Sequence, residues 1–201
     1  MLFRSEHVDW TRVHVFWGDE RHVPPDHPDS NFGMACRTLL SRISIPDDHI
    51  HRMRGELDDP HEAARLYQDE IRDWTFDVML LGVGEDAHIA SIFPDLAGRK
   101  GPRRNTDHLM SSGAGPYGLR DRVAAVPHAD YWRITLTPSA ILAARAILVI
   151  TAGASKADAI YAALKEPLDV SRYPAQLVRD REWLIDRAAA RRLAVPPAQS
   201  A

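Results

Sequence analysis

Val13-His14-Val15-Phe16-Trp17 is a β-branched and aromatic run that leads into Gly18-Asp19-Glu20-Arg21. This pattern predicts a buried strand whose carboxyl end opens into a polar loop. The following stretch, His22 to Asp29, contains Pro24, Pro25 and Pro28 and is excluded from helix. Ser30 is placed to cap a helix over about 31–43, with Phe32, Ala35, Cys36, Leu39 and Leu40 on its apolar face, ended by Pro46. Asp59 and Pro60 read as the cap and first residue of a second helix. Ala63, Leu66, Tyr67, Glu70, Ile71 and Trp74 then recur at helical spacing.

Phe76-Asp77-Val78-Met79-Leu80-Leu81-Gly82 is nearly continuous in its apolar character, the signature of a strand in a sheet covered on both faces. It runs into Gly82-Val83-Gly84-Glu85-Asp86-Ala87-His88. Further strands are predicted over 123–126, 133–136, 146–151 and 183–186, and helices over 138–144 and 155–164. Strands alternating with helices predict an α/β protein: a Rossmann-like layered sheet, mostly parallel, with helices on both faces, in a single domain over 1–201. No internal repeat is present. Residues 98–118 are glycine-rich, carry Arg99-Lys100 and Arg103-Arg104 and hold almost no aliphatic side chains. They are expected to form a mobile surface loop, with a local basic patch for a polyanion as the sharper alternative.

Composition narrows the partners. The 25 Lys+Arg against 28 Asp+Glu leave a net charge of −3, with no bulk field to attract nucleic acid or a membrane surface. A single cysteine, Cys36, excludes an intrachain disulfide, and its helical position suits core packing better than nucleophilic chemistry. No apolar run reaches the roughly 20 residues that span a bilayer. Met1-Leu2-Phe3-Arg4-Ser5-Glu6 lacks a signal-peptide core. The expectation is a cytoplasmic protein without membrane or nucleic-acid partners, its oligomeric state open.

In open α/β sheets, ligands bind beyond the carboxyl ends of the strands. Three polar clusters fall at such ends: Gly18-Asp19-Glu20-Arg21, Glu85-Asp86-Ala87-His88 and Gly153-Ala154-Ser155-Lys156. A helix start beside a lysine suits a phosphate, although Lys156 alone reads equally as a solvated helix end. Arg133, opening a strand, can add a second cation. Asp86 and His88, two apart in a tight loop, can pair a carboxylate with an imidazole, the usual general base near neutral pH. An ordinary hydrogen-bonded loop histidine is the plain alternative. His49-x-His51 and the His22/His27 pair sit in expected loops without a matching cysteine or carboxylate set, so no metal site is expected. Ser91 has no G-x-S-x-G elbow around it.

Taken in order, several segments resemble the 6-phosphogluconolactonase family. They are Val15-Phe16-Trp17-Gly18-Asp19-Glu20-Arg21, Val23-Pro24-Pro25, Asp29-Ser30-Asn31 and Gly82-Val83-Gly84-Glu85-Asp86-Ala87-His88-Ile89-Ala90-Ser91-Ile92-Phe93-Pro94. Arg133-Ile134-Thr135-Leu136-Thr137 and Gly153-Ala154-Ser155-Lys156 continue the likeness, which runs from about residue 8 to about residue 190. The resemblance implies hydrolysis of 6-phospho-D-glucono-1,5-lactone in the oxidative pentose phosphate pathway, without cofactor or metal. It implies His88 as base toward water, Asp86 as its support, and Arg133 and Lys156 on the phosphate. Asp19, Glu20 and Arg21 would line the sugar side, and backbone N–H groups near Gly84 would face the oxyanion.

The related glucosamine-6-phosphate deaminase/isomerase class shares the fold and some motifs. It usually has tyrosine after the Asp-Glu pair and asparagine-glutamate after the histidine loop. Arg21 and Ser91-Ile92 stand at those places here, so the lactonase fits better. A non-catalytic phosphosugar-binding protein is the third reading. Two departures from the family pattern matter. Ala87 stands where the family usually has glycine, which predicts either local strain or a displaced His88. Family members also carry several dozen residues, including a strand and a phosphate loop, ahead of the strand that here starts at Val13. The resemblance therefore implies missing N-terminal elements and an incomplete sheet.

Overall fold

The computed structural model describes residues 8–94 and 121–193, so the 98–118 segment lies outside the described residues. The chain divides into two compact units, residues 1–74 with 122–136 and residues 75–121 with 137–201.

In the first unit, β1 (Val15–Phe16) pairs in parallel with β3 (Ile50–His51). A separate antiparallel sheet has the order β2-β6-β5, formed by Asp19–Arg21, Arg133–Leu136 and Val123–Val126. The polar cluster expected to be a loop is thus itself a strand. Its register sets Asp19 opposite Thr135, Glu20 opposite Ile134 and Arg21 opposite Arg133. Charged residues are tolerated there because Glu20, buried at 2% exposure, finds partners for its carboxylate.

Helix α1 (Asn31–Thr38) starts where predicted, with Ser30 Oγ accepting the Gly33 N–H at 3.0 Å. It stops earlier than predicted: Leu39 leaves helical geometry and a 3-10 turn, Leu40–Arg42, follows. Cys36 is half-buried rather than a core residue, and partial burial pushes its thiol pKa up. Helix α2 (Pro60–Glu70) begins at the expected Asp59-Pro60 pair and packs on β5 and β6. Its fully buried Tyr67 donates its hydroxyl to the Trp17 carbonyl at 3.0 Å and accepts the Trp17 N–H at 2.9 Å. Arg122 holds the far end of α2 through the carbonyls of Ile71, Arg72 and Trp74.

His49 and His51 are not loop residues. His49 closes a 3-10 turn and His51 lies on β3, where both join a stack with His14. His51 Nδ1 meets Glu70 Oε1 at 2.8 Å, and its Nε2 meets His14 Nδ1 at 2.9 Å. A carboxylate only accepts, so His51 donates from Nδ1 to Glu70.

The second unit contains a parallel sheet of order β4-β7-β8, from Val78–Leu81, Ala146–Thr151 and Glu182–Ile185. Helix α3 (Pro138–Leu142) precedes β7, and α4 (Ala157–Lys165) follows it. Helix α4 packs against 3-10 turns at Pro174–Val178 and Ala189–Arg192. The apolar run of β4 is not covered on both faces. Met79 and Leu81 are buried, but Val78 and Leu80 are 63% and 56% exposed. Ile150 and Leu184, paired across β7 and β8, continue that open face. A strand buried on one side only can carry such a run, because exposed aliphatic side chains are not forbidden, merely unrewarded.

Candidate active site

The carboxyl end of β4 leads into a turn that folds back on itself. The Gly84 N–H donates to the His88 carbonyl at 2.9 Å, and the Ala87 N–H to the Gly84 carbonyl at 3.1 Å. Asp86 Oδ1 accepts twice from one residue, from the His88 N–H at 3.2 Å and from the ring at Nδ1 at 2.6 Å. This pairing puts a proton on Nδ1 and leaves Nε2 as the ring nitrogen that Asp86 does not engage. The hydrogen bond from His88 holds the Asp86 carboxyl below its ordinary pKa, so it stays a carboxylate. His88 keeps 32% of its side chain exposed, and Phe93 packs against it with ring centroids 4.8 Å apart.

The ring's position depends on Gly84. A Cβ there would lie 2.1 Å from His88 Nδ1 and 2.2 Å from Cε1. Ala87 takes φ +66° and is 1% exposed. The alanine therefore adopts the left-handed conformation that glycine favours, at a cost of about 1–2 kcal/mol, without displacing His88 from Asp86. The N–H groups of Gly84, Ala87 and His88 are all engaged within this turn.

Lys156 ends the 3-10 turn Ala154–Lys156 and directly precedes α4. Gly153 reaches φ +98°, and its N–H donates to Asp186 Oδ1 at 3.1 Å.

The remaining expected site residues lie in the first unit. Arg21 and Arg133 are cross-strand partners. Arg21 Nη1 donates to the Asp29 carbonyl at 2.5 Å. Arg133 Nη1 is buried without a hydrogen-bond partner, and its guanidinium stands 5.9 Å from the Tyr131 ring centroid. Burial and the neighbouring Arg21 charge both lower the Arg133 pKa. A guanidinium does not shed its proton, so two adjacent cations with an unsatisfied N–H form a place that favours an anion. Asp19 is held from α1, where Asn31 Nδ2 donates to its carbonyl at 2.9 Å.

Glu20 has a different task from its neighbours. Its carboxylate accepts from the N–H groups of Arg21, Asn31 and Phe32 at 2.7–2.8 Å and from Ser30 Oγ at 3.1 Å. It caps the start of α1, and its oxygens are occupied.

Sequence reading missed two residues that support the histidine turn. The Ala175 N–H donates to the Ala87 carbonyl at 2.9 Å, and buried Gln176 anchors that segment. No local motif marks them, because their partners lie far away in sequence. Among the described residues, no cluster of three or more histidine, cysteine or acidic side chains is arranged to hold a metal ion. No helix among them is long and apolar enough to cross a membrane.

The second unit thus sets an Asp-x-His turn beyond one parallel strand and a glycine-lysine turn beyond its neighbour. The chain belongs to the family described as glucosamine-6-phosphate isomerases/6-phosphogluconolactonase, whose model matches residues 2–185. Within it, the chain is 34% identical over 204 residues to the 6-phosphogluconolactonase of a Nostoc species, covering 95% of this chain and 78% of that protein. The solved 6-phosphogluconolactonase of Trypanosoma brucei superposes with a TM-score of 0.73 at 27% identity, covering 94% of this chain and 79% of that one. A monomeric glucosamine-6-phosphate deaminase also superposes with a TM-score of 0.73, covering 90% of this chain and 76% of that one. At 20% identity it shares the fold alone.

Proposed function

We propose that this chain is a 6-phosphogluconolactonase, hydrolysing 6-phospho-D-glucono-1,5-lactone to 6-phospho-D-gluconate in the oxidative pentose phosphate pathway. The observation that carries the mechanism is the 2.6 Å pairing of Asp86 Oδ1 with His88 Nδ1. With Nδ1 protonated, Nε2 takes a proton from water as its oxygen attacks the lactone carbonyl. The ring C–O bond then breaks, and His88 returns the proton to the departing ring oxygen. Asp86 stabilises the imidazolium formed between the two steps. The step as written needs neither metal nor cofactor.

Arg133 and Lys156 are assigned to the phosphate, and Arg21 and Asp19 to the sugar, as the resemblance implies. The unsatisfied Arg133 Nη1 supports an anion at that residue. Glu20 is read as organising α1 rather than touching substrate. The same reading places the enzyme in the cytoplasm, with a small sugar phosphate as its partner.

The test is hydrolysis of freshly generated lactone beside His88→Ala and a no-enzyme blank. The expected result is a rate above blank that falls by about 10²–10⁴-fold in the variant. A His88→Ala rate equal to wild type overturns the mechanism.

A further inference from the structure

We propose that Gln176 is a positioning residue for this reaction, acting on His88 through the backbone bond between Ala175 and Ala87. The inference rests on the reading of His88 as the base.

Ala87 sits between Asp86 and His88 in a conformation that alanine does not choose unaided. The turn's own bonds, from Gly84 to His88 and from Ala87 to Gly84, close it locally but do not attach it to the rest of the unit. The bond from the Ala175 N–H to the Ala87 carbonyl, 2.9 Å long, supplies that attachment. Ala175 and Ala87 are both buried, at 0% and 1% exposure, so water does not substitute for either partner.

What holds Ala175 in place is the side chain next to it. Gln176 is 3% exposed, and both ends of its amide are hydrogen-bonded. Nε2 donates to the carbonyls of Ala162 at 2.9 Å and Pro167 at 3.0 Å, with Glu166 at 3.4 Å as a longer third contact. Oε1 accepts the Asp169 N–H at 2.6 Å. One amide thus joins the end of α4, the turn after it and the 3-10 segment that carries Ala175. The path continues through the Ala87 carbonyl to the two bonds that Asp86 makes with His88. A side chain of similar volume without the amide fills the space but leaves these carbonyls unpaired. The 3-10 segment then shifts, and the Ala87 conformation loses its restraint.

The experiment compares Gln176→Leu, Asp86→Asn, their double variant and His88→Ala in the full chain. Each variant is first checked for a wild-type circular dichroism spectrum and a cooperative melt. For Gln176→Leu we expect kcat to fall at least tenfold with KM within twofold. We also expect the ring ¹⁵N shifts of His88 to move from one protonated tautomer toward a mixture. Added to Asp86→Asn, the second substitution should cost little more, because both act on one geometry. Unchanged kcat and ring shifts in folded Gln176→Leu overturn the proposal, and so do losses that multiply in the double variant. Should Gln176→Leu fail to fold, Gln176→Asn, which keeps the amide one methylene short, is judged by the same readouts. An active His88→Ala overturns the base assignment itself. An inactive His88→Ala beside an unaltered Gln176→Leu overturns only the role of Gln176.

Discussion

Gly84 has no side chain, and the His88 ring occupies the space one would fill. Gly84→Ala would put a methyl group 2.1 Å from Nδ1, so the ring must rotate away from Asp86. The chain should still fold, because the obstructing atoms belong to a partly exposed side chain. Activity should drop by about 10²-fold or more, in line with loss of an oriented base. Lactonase activity near wild type in Gly84→Ala would show that the ring orientation seen here is not the working one. At the same scale, Asp86 and His88 were legible in the sequence as a spaced pair. The cost at Ala87 was legible only as a choice between strain and displacement, because φ is a property of the folded turn. The structure resolves it as strain.

The elements were legible to differing degrees. Ser30 and the Asp59-Pro60 pair marked helix starts correctly, because capping is a local interaction between neighbours in sequence. The strand over 19–21 was hidden, since a charged triplet looks like a loop until its partners are known. Glu20 makes the case: its four donors come from its own neighbour and from the start of α1. Glu20→Gln keeps the shape but turns an amide N–H toward those donors. We expect a loss of about 2 kcal/mol, read as a lower urea midpoint; an unchanged midpoint would count against the cap.

The β1–β3 pair adds a pH dependence. Burial, and then the nearby His49 and His51, lower the pKa of His14, with Asp48 opposing. Glu70 faces the same stack through His51. The unfolded chain therefore takes up the His14 proton at higher pH than the folded one. This contribution to stability is complete above the ordinary histidine pKa of roughly 6.5 and is lost as pH falls below it. The urea midpoint should decrease from pH 7.5 to 5.5, and His14→Phe should flatten that slope. Parallel slopes would remove His14 as the cause.

Across the whole molecule, the open face of the β4-β7-β8 sheet is the feature that composition did not announce. Val78, Leu80, Ile150 and Leu184 present aliphatic surface, and β4 is an edge strand of that sheet. Such a face favours association of like molecules. Sedimentation should show the average mass rising with concentration, and Leu80→Lys with Ile150→Lys should suppress the rise. A wild-type monomer at every concentration would refute this. The apolar run had suggested burial on both sides because a sequence counts hydrophobic residues without showing what lies over them.

Tyr67 reaches across from α2 to take both the N–H and the carbonyl of Trp17, the place a neighbouring strand would otherwise occupy. The Trp17 amide is therefore protected from deuterium by a helix side chain instead of by a sheet ladder. Its exchange rate becomes a built-in gauge of how often α2 lifts from its seat, readable in the unmodified protein at a single backbone position.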